Sequence, residues 1–399
     1  MKILYIDVNC KYGSTGQIAY TLFSNCLKNN HQAAICYGRG PLIKEEHIFK
    51  FGIDIETYIH ALLTRFTGYM GKYSYFSTRK LIKYINKFKP DVVHIHELHS
   101  YFVNIKTLLN YLKKNNIKTV FTNHCEFLYT GKCGHTKTCN KYTTTCGNCP
   151  LKKEYPKSIL FDKTKQMFLE KKAIFEGWEN IILVTPSIWL KKKMQLSFFS
   201  NRNIHVINNG IDTNIYSYNK SKEVLNKFSI PTNKKIVISV APNIFSDNKG
   251  GYRFIKLANL MKDNDDILFV AVGAIDMPND VPNNMKVLPL IKDKSTLMSL
   301  YSCADCMVIC SDYENYPTTS LEAQCCGTKV VGFDVGGVKE TILDNHGYVV
   351  EYLDLESMKN KINNIVSSPY DKNEVSEVAK KYFSMEEMYN KYFELYTKL

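Results

Sequence analysis

The carboxyl-terminal half of the chain contains the segment Cys310-Ser-Asp-Tyr-Glu-Asn-Tyr-Pro-Thr-Thr-Ser-Leu-Glu-Ala-Gln-Cys-Cys-Gly327. An apolar run ends at Cys310 and a polar loop follows. A helix is then predicted to begin near Pro317, because proline suits the first helical residues. The backbone N–H groups of Thr318 and Thr319 would lie at this helix N-terminus, where a phosphate is stabilised. A strand, a loop and a helix in this order predict one unit of an α/β sheet.

Two glutamates of this segment stand eight residues apart. Glu314 lies in the loop, and Glu322 lies about one turn into the helix, where it can face the same side. Two carboxylates beside an anion site are suited to hold hydroxyl groups, and a sugar nucleotide offers hexose and ribose hydroxyls together with a diphosphate. The alternative is that Glu314 is a solvated loop acid and that Glu322 interacts only with the helix dipole.

Apolar runs rich in β-branched residues alternate with longer amphipathic stretches along the whole chain. This alternation predicts parallel sheets covered by helices on both faces. The predicted strands are 2–8, 33–37, 91–96, 118–122, 181–186, 204–208, 235–241, 267–273, 286–290, 306–310 and 329–334.

A polar stretch, Asn208 to Asn214, marks the expected domain boundary. We expect an amino-terminal Rossmann-like domain over 1–209, with a cysteine-rich loop at 125–150, and a second Rossmann-like domain over 210–383. Aromatic residues and methionines at helical spacing predict that 384–399 form a helix that packs back towards the amino-terminal domain.

The composition of the 399 residues, 45% hydrophobic and 23% charged, is that of a globular protein and argues against a disordered or fibrous chain. Its apolar runs are shorter than the roughly 18 residues of a membrane span, and its first residues do not resemble a signal peptide. We therefore expect a cytoplasmic protein, in which most of the thirteen cysteines are buried thiols.

The net charge of +14 is concentrated in the first half of the chain. Residues 1–200 contain 30 Lys and Arg against 13 Asp and Glu, whereas residues 201–399 contain 22 against 25. Such a basic half suits an anionic partner, which can be a nucleic acid, a membrane surface or a phosphorylated substrate.

With the following Gly336-Gly337-Val-Lys-Glu340, the Glu314 and Glu322 pair resembles glycosyltransferase family four over nearly the whole chain. These are retaining nucleotide-sugar enzymes of GT-B fold, with two doubly wound Rossmann-like domains facing across a cleft. The resemblance implies that Glu314 contacts the donor hexose and takes part in catalysis, and that Glu322 contacts the ribose hydroxyls. It also implies that the donor diphosphate binds at Thr318 and Thr319, with donor contacts from Asn315 and Tyr316.

The stretch from Val240 to Gly251, which contains Lys249, also resembles this family. A lysine beside the diphosphate would neutralise leaving-group charge without a metal ion, so Lys249 is a candidate for both catalysis and donor binding. The alternative is an exposed lysine at a turn. The family usually has an arginine just after this strand, where Asn243 stands here, and Asn243 is a further candidate donor contact. Base contacts are expected near Ile291.

In the amino-terminal domain, Gly13 and Gly16 follow the first strand and would let the backbone approach a ligand closely, although an ordinary turn explains them nearly as well. The resemblance implies that this loop borders the donor phosphate and the acceptor. Among the histidines, the resemblance implies that His124 lies at the reaction centre. His94 and His96 would share one strand face, which is compatible with a metal site, but we interpret His94 as a core residue.

Four cysteines, Cys133, Cys139, Cys146 and Cys149, lie in a lysine- and threonine-rich loop. Their spacing suits a structural zinc site that would fold a segment with almost no apolar core. Free thiols and disulfides are the alternatives.

Between Thr64 and Lys89, basic residues alternate with aromatic ones. Such a stretch can bind single-stranded nucleic acid, lie at a lipid interface or form a solvated helix face. With the family resemblance, an anionic membrane surface is the preferred interpretation, and no nucleic acid is expected.

Together with these patterns, the family resemblance implies a metal-independent, retaining hexosyltransferase. It would use a UDP- or GDP-sugar as substrate and no cofactor for catalysis. The acceptor would be a saccharide or a lipid-linked acceptor in the biosynthesis of surface polysaccharide, such as capsule or lipopolysaccharide, or of glycolipid. The protein would be peripherally attached to the inner face of the cell membrane. The alternative function is a zinc-containing nucleic-acid-binding protein, which leaves the glutamate pair and the Gly-Gly element unexplained.

Overall fold

The computed structural model describes all residues, 1–399. The chain divides into two compact units, which we call the amino-terminal domain (Met1–Asn208 with Tyr389–Leu399) and the carboxyl-terminal domain (Asn209–Met388). No helix is long and apolar enough to cross a membrane.

The amino-terminal domain contains a seven-stranded parallel sheet in the order β3-β2-β1-β4-β5-β6-β7. The central strands are buried on both faces, as their continuous apolar runs require. Its strands are β1 (Lys2–Asp7), β2 (Gln32–Tyr37), β3 (Ile48–Lys50), β4 (Val92–Ile95), β5 (Thr119–Thr122), β6 (Ile181–Thr185) and β7 (Ile204–Val206). Its helices are α1 (Gly13–Lys28), α2 (Asp54–Thr67), α3 (Tyr75–Phe88), α4 (Ile105–Lys114), α5 (Thr164–Phe175) and α6 (Ile188–Gln195).

The carboxyl-terminal domain contains a six-stranded parallel sheet in the order β10-β9-β8-β11-β12-β13. Its strands are β8 (Lys235–Val240), β9 (Ile267–Ala274), β10 (Met285–Pro289), β11 (Cys306–Ile309), β12 (Lys329–Phe333) and β13 (Gly347–Val350). Its helices are α7 (Glu223–Lys227), α8 (Gly251–Leu260), α9 (Lys294–Cys303), α10 (Thr318–Cys325), α11 (Leu355–Ser367) and α12 (Lys372–Phe383).

The predicted fold class, two doubly wound Rossmann-like domains, is confirmed. Two strands were not predicted, β3 and β13, and both lie at the edge of a sheet. Their side chains are mostly only half-buried, so they lack the continuous apolar run that marks a central strand.

The last helix, α13 (Met385–Thr397), begins in the carboxyl-terminal domain, and its later residues belong to the amino-terminal domain. Tyr392 and Tyr396 are buried there, and their hydroxyls lie 2.9 Å from Thr122 Oγ1 and 2.6 Å from His94 Nδ1. The other ring nitrogen of His94 lies 2.8 Å from Thr122 Oγ1. His94 is therefore a fully hydrogen-bonded core residue, as interpreted from the sequence.

None of the thirteen cysteines forms a disulfide. Cys306, Cys310, Cys325 and Cys326 are buried in the carboxyl-terminal core, in agreement with the apolar runs that contain them.

Candidate active site

The candidate donor site lies where the strand order of the carboxyl-terminal sheet reverses. Strand β8 pairs with β9 on one side and with β11 on the other, so the connections that leave β8 and β11 run to opposite sides of the sheet. In open α/β sheets, ligands bind beyond the carboxyl ends of the strands at this point. The loops that follow β8 and β11 contain Lys249 and Glu314.

These two side chains form a direct ion pair, with Lys249 Nζ 2.7 Å from Glu314 Oε1. Gly250 makes the approach possible, because it has φ +77° and a Cβ there would stand 2.0 Å from the carbonyl oxygen of Cys310. The N–H of Asp312 also donates to the carbonyl oxygen of Asn248 at 2.9 Å. The two loops are thus joined by their backbones, and the cation and the carboxylate predicted from separate motifs are brought together.

A third loop fixes the backbone of Glu314. Gly336, which follows β12, has φ +59°, and a Cβ there would stand 1.7 Å from the carbonyl oxygen of Glu314. The N–H of Gly337 donates to that same oxygen at 3.0 Å. The Gly-Gly element therefore positions the glutamate, a role that requires the absence of a side chain.

Helix α10 begins at Thr318 with Pro317 as its N-cap residue, in agreement with the predicted helix start. Thr318 and Thr319 are half-buried in its first turn. Glu322 lies one turn further on, and its Oε2 accepts a hydrogen bond from the Tyr301 hydroxyl at 3.2 Å. Burial raises the pKa of the Glu322 carboxyl to about 7, against the opposing effects of Tyr301, Lys294 and Thr318.

The remaining predicted donor contacts lie in loops at the same edge of the sheet. Asn243 follows β8 and accepts hydrogen bonds from Ser246 with its carbonyl oxygen. Ile291 follows β10 and packs partly against the core. Asn315 and Tyr316 follow β11, but Tyr316 is a buried core residue.

Sequence reasoning missed Arg253, a second cation beside this loop. Arg253 lies on α8, where its Nη1 donates to the carbonyl oxygen of Cys310 at 3.1 Å and its Nη2 pairs with Asp312. The hydroxyl of Tyr352 also donates to Asp312. Arg253 holds the start of the Glu314 loop, and its position four residues after Lys249, in the first turn of the following helix, was the available signal.

In the amino-terminal domain, α1 begins at Gly13, which has φ +68°. A Cβ on Gly16 would stand 3.0 Å from the carbonyl oxygen of Asn9, so Gly16 allows α1 to lie close to the loop after β1. Asp7 at the end of β1 was not predicted. It is buried, one carboxylate oxygen accepts from Thr15 Oγ1 at 3.1 Å, and the other has no hydrogen-bond partner. Burial, with a smaller effect of Glu97, raises the pKa of Asp7 to about 8.

His124 follows β5, and its Nε2 lies 3.0 Å from His96 Nδ1. Burial lowers the pKa of His124 to about 4, so its ring is neutral at pH 7. The Nε2 atom of His96 is buried and has no hydrogen-bond partner. His124 is therefore oriented by a second histidine and is suited to a hydrogen bond with a neutral group.

The four cysteines of the predicted metal site line one cavity of about 20 Å³. Cys146 Sγ accepts a hydrogen bond from the N–H of Gly131 at 3.1 Å. A hydrogen bond from Cys133 lowers the pKa of Cys149 to about 6. Thiols are the ligand type that structural zinc sites use.

Between Cys133 and Cys149, Tyr142 is buried in the core of the domain, and the half-buried Cys146 packs against it. The three consecutive residues Phe127, Leu128 and Tyr129, which precede this segment, are buried in the same core.

The chain has two doubly wound domains, and a lysine and a glutamate form an ion pair at the switch point of one of them. This arrangement is that of the GT-B glycosyltransferases. The family model described as Glycosyltransferase Family 4 matches residues 16–215, and the model described as Glycosyl transferases group 1 matches residues 220–382. The chain belongs to glycosyltransferase family 4, as its motifs indicated.

Similar proteins cover nearly the whole chain. WcaC of Escherichia coli (strain K12), named as a putative colanic acid biosynthesis glycosyl transferase, is 23% identical over 368 residues, which are 88% of this chain and 87% of that protein. The structure of sucrose-phosphate synthase from Thermosynechococcus elongatus has a TM-score of 0.69 at 15% identity and covers 100% of this chain and 98% of that one. Anabaena Alr3699/HepE in complex with UDP-glucose has a TM-score of 0.64 at 14% identity, with both chains covered completely.

Proposed function

We propose that this glycosyltransferase moves a hexose from a UDP- or GDP-sugar to a saccharide or lipid-linked acceptor, with retention at the anomeric carbon. The observation that carries the proposal is the Lys249 and Glu314 ion pair at the switch point of the carboxyl-terminal domain, which joins the loop after β8 to the loop that leads into α10. The Anabaena relative was solved with UDP-glucose, which supports a nucleotide-sugar donor.

Each side chain has a defined role in this proposal. Lys249 and the N–H groups at the start of α10 stabilise the charge that develops on the diphosphate as the glycosidic bond breaks. This positive potential supplies what a divalent cation provides in other transferases, so the diphosphate needs no metal ion. Glu314 accepts hydrogen bonds from the hexose and Glu322 accepts them from the ribose. His124, which is neutral, contacts the transferred sugar.

A thermal unfolding experiment separates this proposal from the alternative of a zinc-containing nucleic-acid-binding protein. UDP or GDP at about 100 times its Kd is expected to stabilise the protein by about 2.7 kcal/mol, because a ligand of the folded state shifts unfolding by mass action. Oligonucleotides at equal phosphate concentration should have no such effect. Stabilisation by oligonucleotides and none by either nucleotide would reject the proposal.

Glu322→Ala is expected to weaken UDP or GDP binding about 10- to 100-fold, the loss of hydrogen bonds to a charged group. In the wild type, affinity should rise with pH through about 7, because hydroxyl donors favour the ionised carboxylate and protonation of Glu322 removes it. Isothermal titration at pH 6 and pH 8 checks both effects. The Glu322→Ala variant is the control, because any pH dependence that comes from protonation of the nucleotide phosphate remains in it. An equal pH dependence of binding in the two proteins would therefore contradict the assignment of Glu322 to the ribose.

The role in surface polysaccharide or glycolipid assembly is supported by the colanic acid name of WcaC and by an apolar surface of the amino-terminal domain. Helix α2 exposes five large apolar side chains at helical spacing, which form an apolar stripe along the helix. At the end of this stripe, the N–H of Ile159 donates to the carbonyl oxygen of Arg65. This hydrogen bond places a second exposed apolar segment next to the stripe. The exposed side chains are Ile55, Tyr58, Ile59, Leu62 and Phe66 on α2, with Ile159, Leu160 and Phe161.

Exposed basic residues lie on α2, in the segment that follows it and on α3, so the chemistry of this region suits the interface of an anionic membrane. We expect the protein to sediment with vesicles that contain anionic lipid and to be released by salt, because screening weakens the attraction. The basic residues are Arg65, Lys72, Arg79 and Lys80. Replacing these four with glutamine should weaken sedimentation and leave UDP binding unchanged.

In a control variant, four exposed lysines of the carboxyl-terminal domain are replaced with glutamine. This variant should sediment as the wild type does. Those lysines are Lys220, Lys256, Lys262 and Lys292. Sedimentation that is indifferent to lipid charge, or equal in the two quadruple variants, would mean that the acceptor is not met at an anionic membrane.

We also propose that Cys133, Cys139, Cys146 and Cys149 hold a structural zinc ion. Removal of this zinc by a strong chelator is expected to lower the melting temperature by several degrees, since metal binding free energy is coupled to folding. Differential scanning calorimetry measures the change, and the Cys149→Ser variant should start at the lower melting temperature and respond less to the chelator than the wild type does. An unchanged melting temperature in the wild type would indicate free thiols.

A further inference from the structure

Three side chains of different chemistry converge beyond the carboxyl ends of β4 and β5. The Nε2 atom of His99 lies 3.2 Å from Glu97 Oε2, and Cys125 Sγ lies 3.5 Å from that same oxygen. The three potential ligand atoms all lie within 4.8 Å of one another. This cluster is separate from the cavity lined by the four loop cysteines.

The spacing of these atoms suits one small cation. Tetrahedral zinc holds oxygen, nitrogen and sulfur ligands at about 2.0–2.3 Å, which places neighbouring ligand atoms about 3.3–3.8 Å apart. Both measured separations are within a few tenths of an ångström of this range. Thiolate, imidazole and carboxylate are also the ligand types that zinc takes in proteins.

The carboxylate is fixed in the orientation that a metal ligand requires. Glu97 is 7% exposed, and its Oε1 accepts the N–H groups of Leu98 at 3.0 Å and His99 at 3.3 Å. The second oxygen, Oε2, is therefore directed at His99 Nε2 and Cys125 Sγ. The nearby buried cation, Lys171, donates to the carbonyl oxygen of Phe127 at 2.6 Å, so its ammonium is held by a backbone group.

The imidazole is oriented in the same way. His99 Nδ1 lies 3.0 Å from Ser100 Oγ, which lies 3.0 Å from the Tyr155 hydroxyl. Histidines that bind metals through one ring nitrogen are commonly held by a hydrogen bond at the other. This outer partner leaves Nε2 available as the ligand.

We infer that Glu97, His99 and Cys125 form a zinc-binding site with three protein ligands and one open position. A three-ligand site of this kind takes water or a hydroxyl oxygen as its fourth ligand. Binding displaces the thiol proton of Cys125 and any proton on His99 Nε2, and both leave to solvent. The inference does not depend on the proposed sugar transfer.

Cobalt(II) titration tests the site, because a thiolate ligand gives cobalt a sulfur-to-metal charge-transfer band in the near ultraviolet. The experiment uses a Cys133→Ser, Cys149→Ser background in which the loop site is disabled. We expect one Co²⁺ per chain with this band in the background protein. Adding Cys125→Ser should abolish the band, and adding His99→Ala should weaken Co²⁺ binding at least tenfold.

Two further variants keep the test specific. Cys303→Ser, a half-buried cysteine of the other domain, should leave the band unchanged. Ser100→Ala should weaken Co²⁺ binding about tenfold with the band retained, as expected for loss of an outer partner. Circular dichroism confirms folding of each variant. A folded background protein that shows no band, or a band that survives Cys125→Ser, would overturn the inference.

Discussion

Replacing Lys249 with alanine is expected to lower kcat about 10²- to 10³-fold, the effect of removing one fixed donor from a developing anion. The side chain is already held at the switch point by Glu314, 2.7 Å away, so its charge needs no reorganisation during the reaction. Steady-state assays of nucleotide release from a UDP- or GDP-sugar measure the loss. Lys249→Arg should recover part of it, because the positive charge is kept.

Lys256→Ala is the matched control, since Lys256 is an exposed lysine on α8, the helix that begins two residues after Lys249. Its kcat should stay within about twofold of the wild type. If the Lys249→Ala enzyme kept nearly full activity, another group would stabilise the developing charge. The ion pair of Lys249 and Glu314 would then be only a structural contact.

Gly336→Ala is expected to reduce both stability and turnover. The new Cβ would stand 1.7 Å from the carbonyl oxygen of Glu314, so the Glu314 loop must move. A displacement of about 1 Å at a reacting group costs about 10²-fold in rate. The clash should lower the free energy of unfolding by about 1–3 kcal/mol beyond the cost of the left-handed backbone. Urea unfolding and kcat are the two measurements.

The Gly177→Ala variant separates the cost of the steric clash from the cost of the left-handed backbone. Gly177 has φ +62°, nearly the φ of Gly336, but nothing lies within 4 Å of a Cβ placed there. This variant should lose only the backbone cost of about 1–2 kcal/mol and keep full activity. If Gly336→Ala and Gly177→Ala behaved alike, the Gly-Gly element would have no part in positioning Glu314.

The sequence predicted the central strands because parallel strands buried on both faces must be continuously apolar. It also predicted the start of α10, because the preference of proline for the first helical residues acts locally at Pro317. The loop that contains Glu314, before this helix, was likewise predicted. The edge strands β3 and β13 were missed because half-exposed strands lack the continuous apolar pattern.

Contacts between distant residues were beyond sequence reasoning. The motif of Glu314 and the motif of Lys249 were recognised separately, but their ion pair depends on the packing of Gly250 against Cys310. Asp7 gave only the weak signal of an acid at the end of an apolar strand. The environment of its carboxylate depends on how the start of α1 packs against β1, where one oxygen accepts from Thr15 and the other is buried without a partner.

We propose that the chain transfers a hexose from a nucleotide sugar with retention. Proton NMR of donor hydrolysis tests it without knowledge of the acceptor, because the two anomers of the released sugar are resolved before mutarotation. With a panel of α-linked UDP- and GDP-sugars, the account predicts that at least one is hydrolysed, that the α-anomer appears first, and that Lys249→Ala abolishes the signal. Release of the β-anomer first, or hydrolysis unaffected by Lys249→Ala, would contradict it.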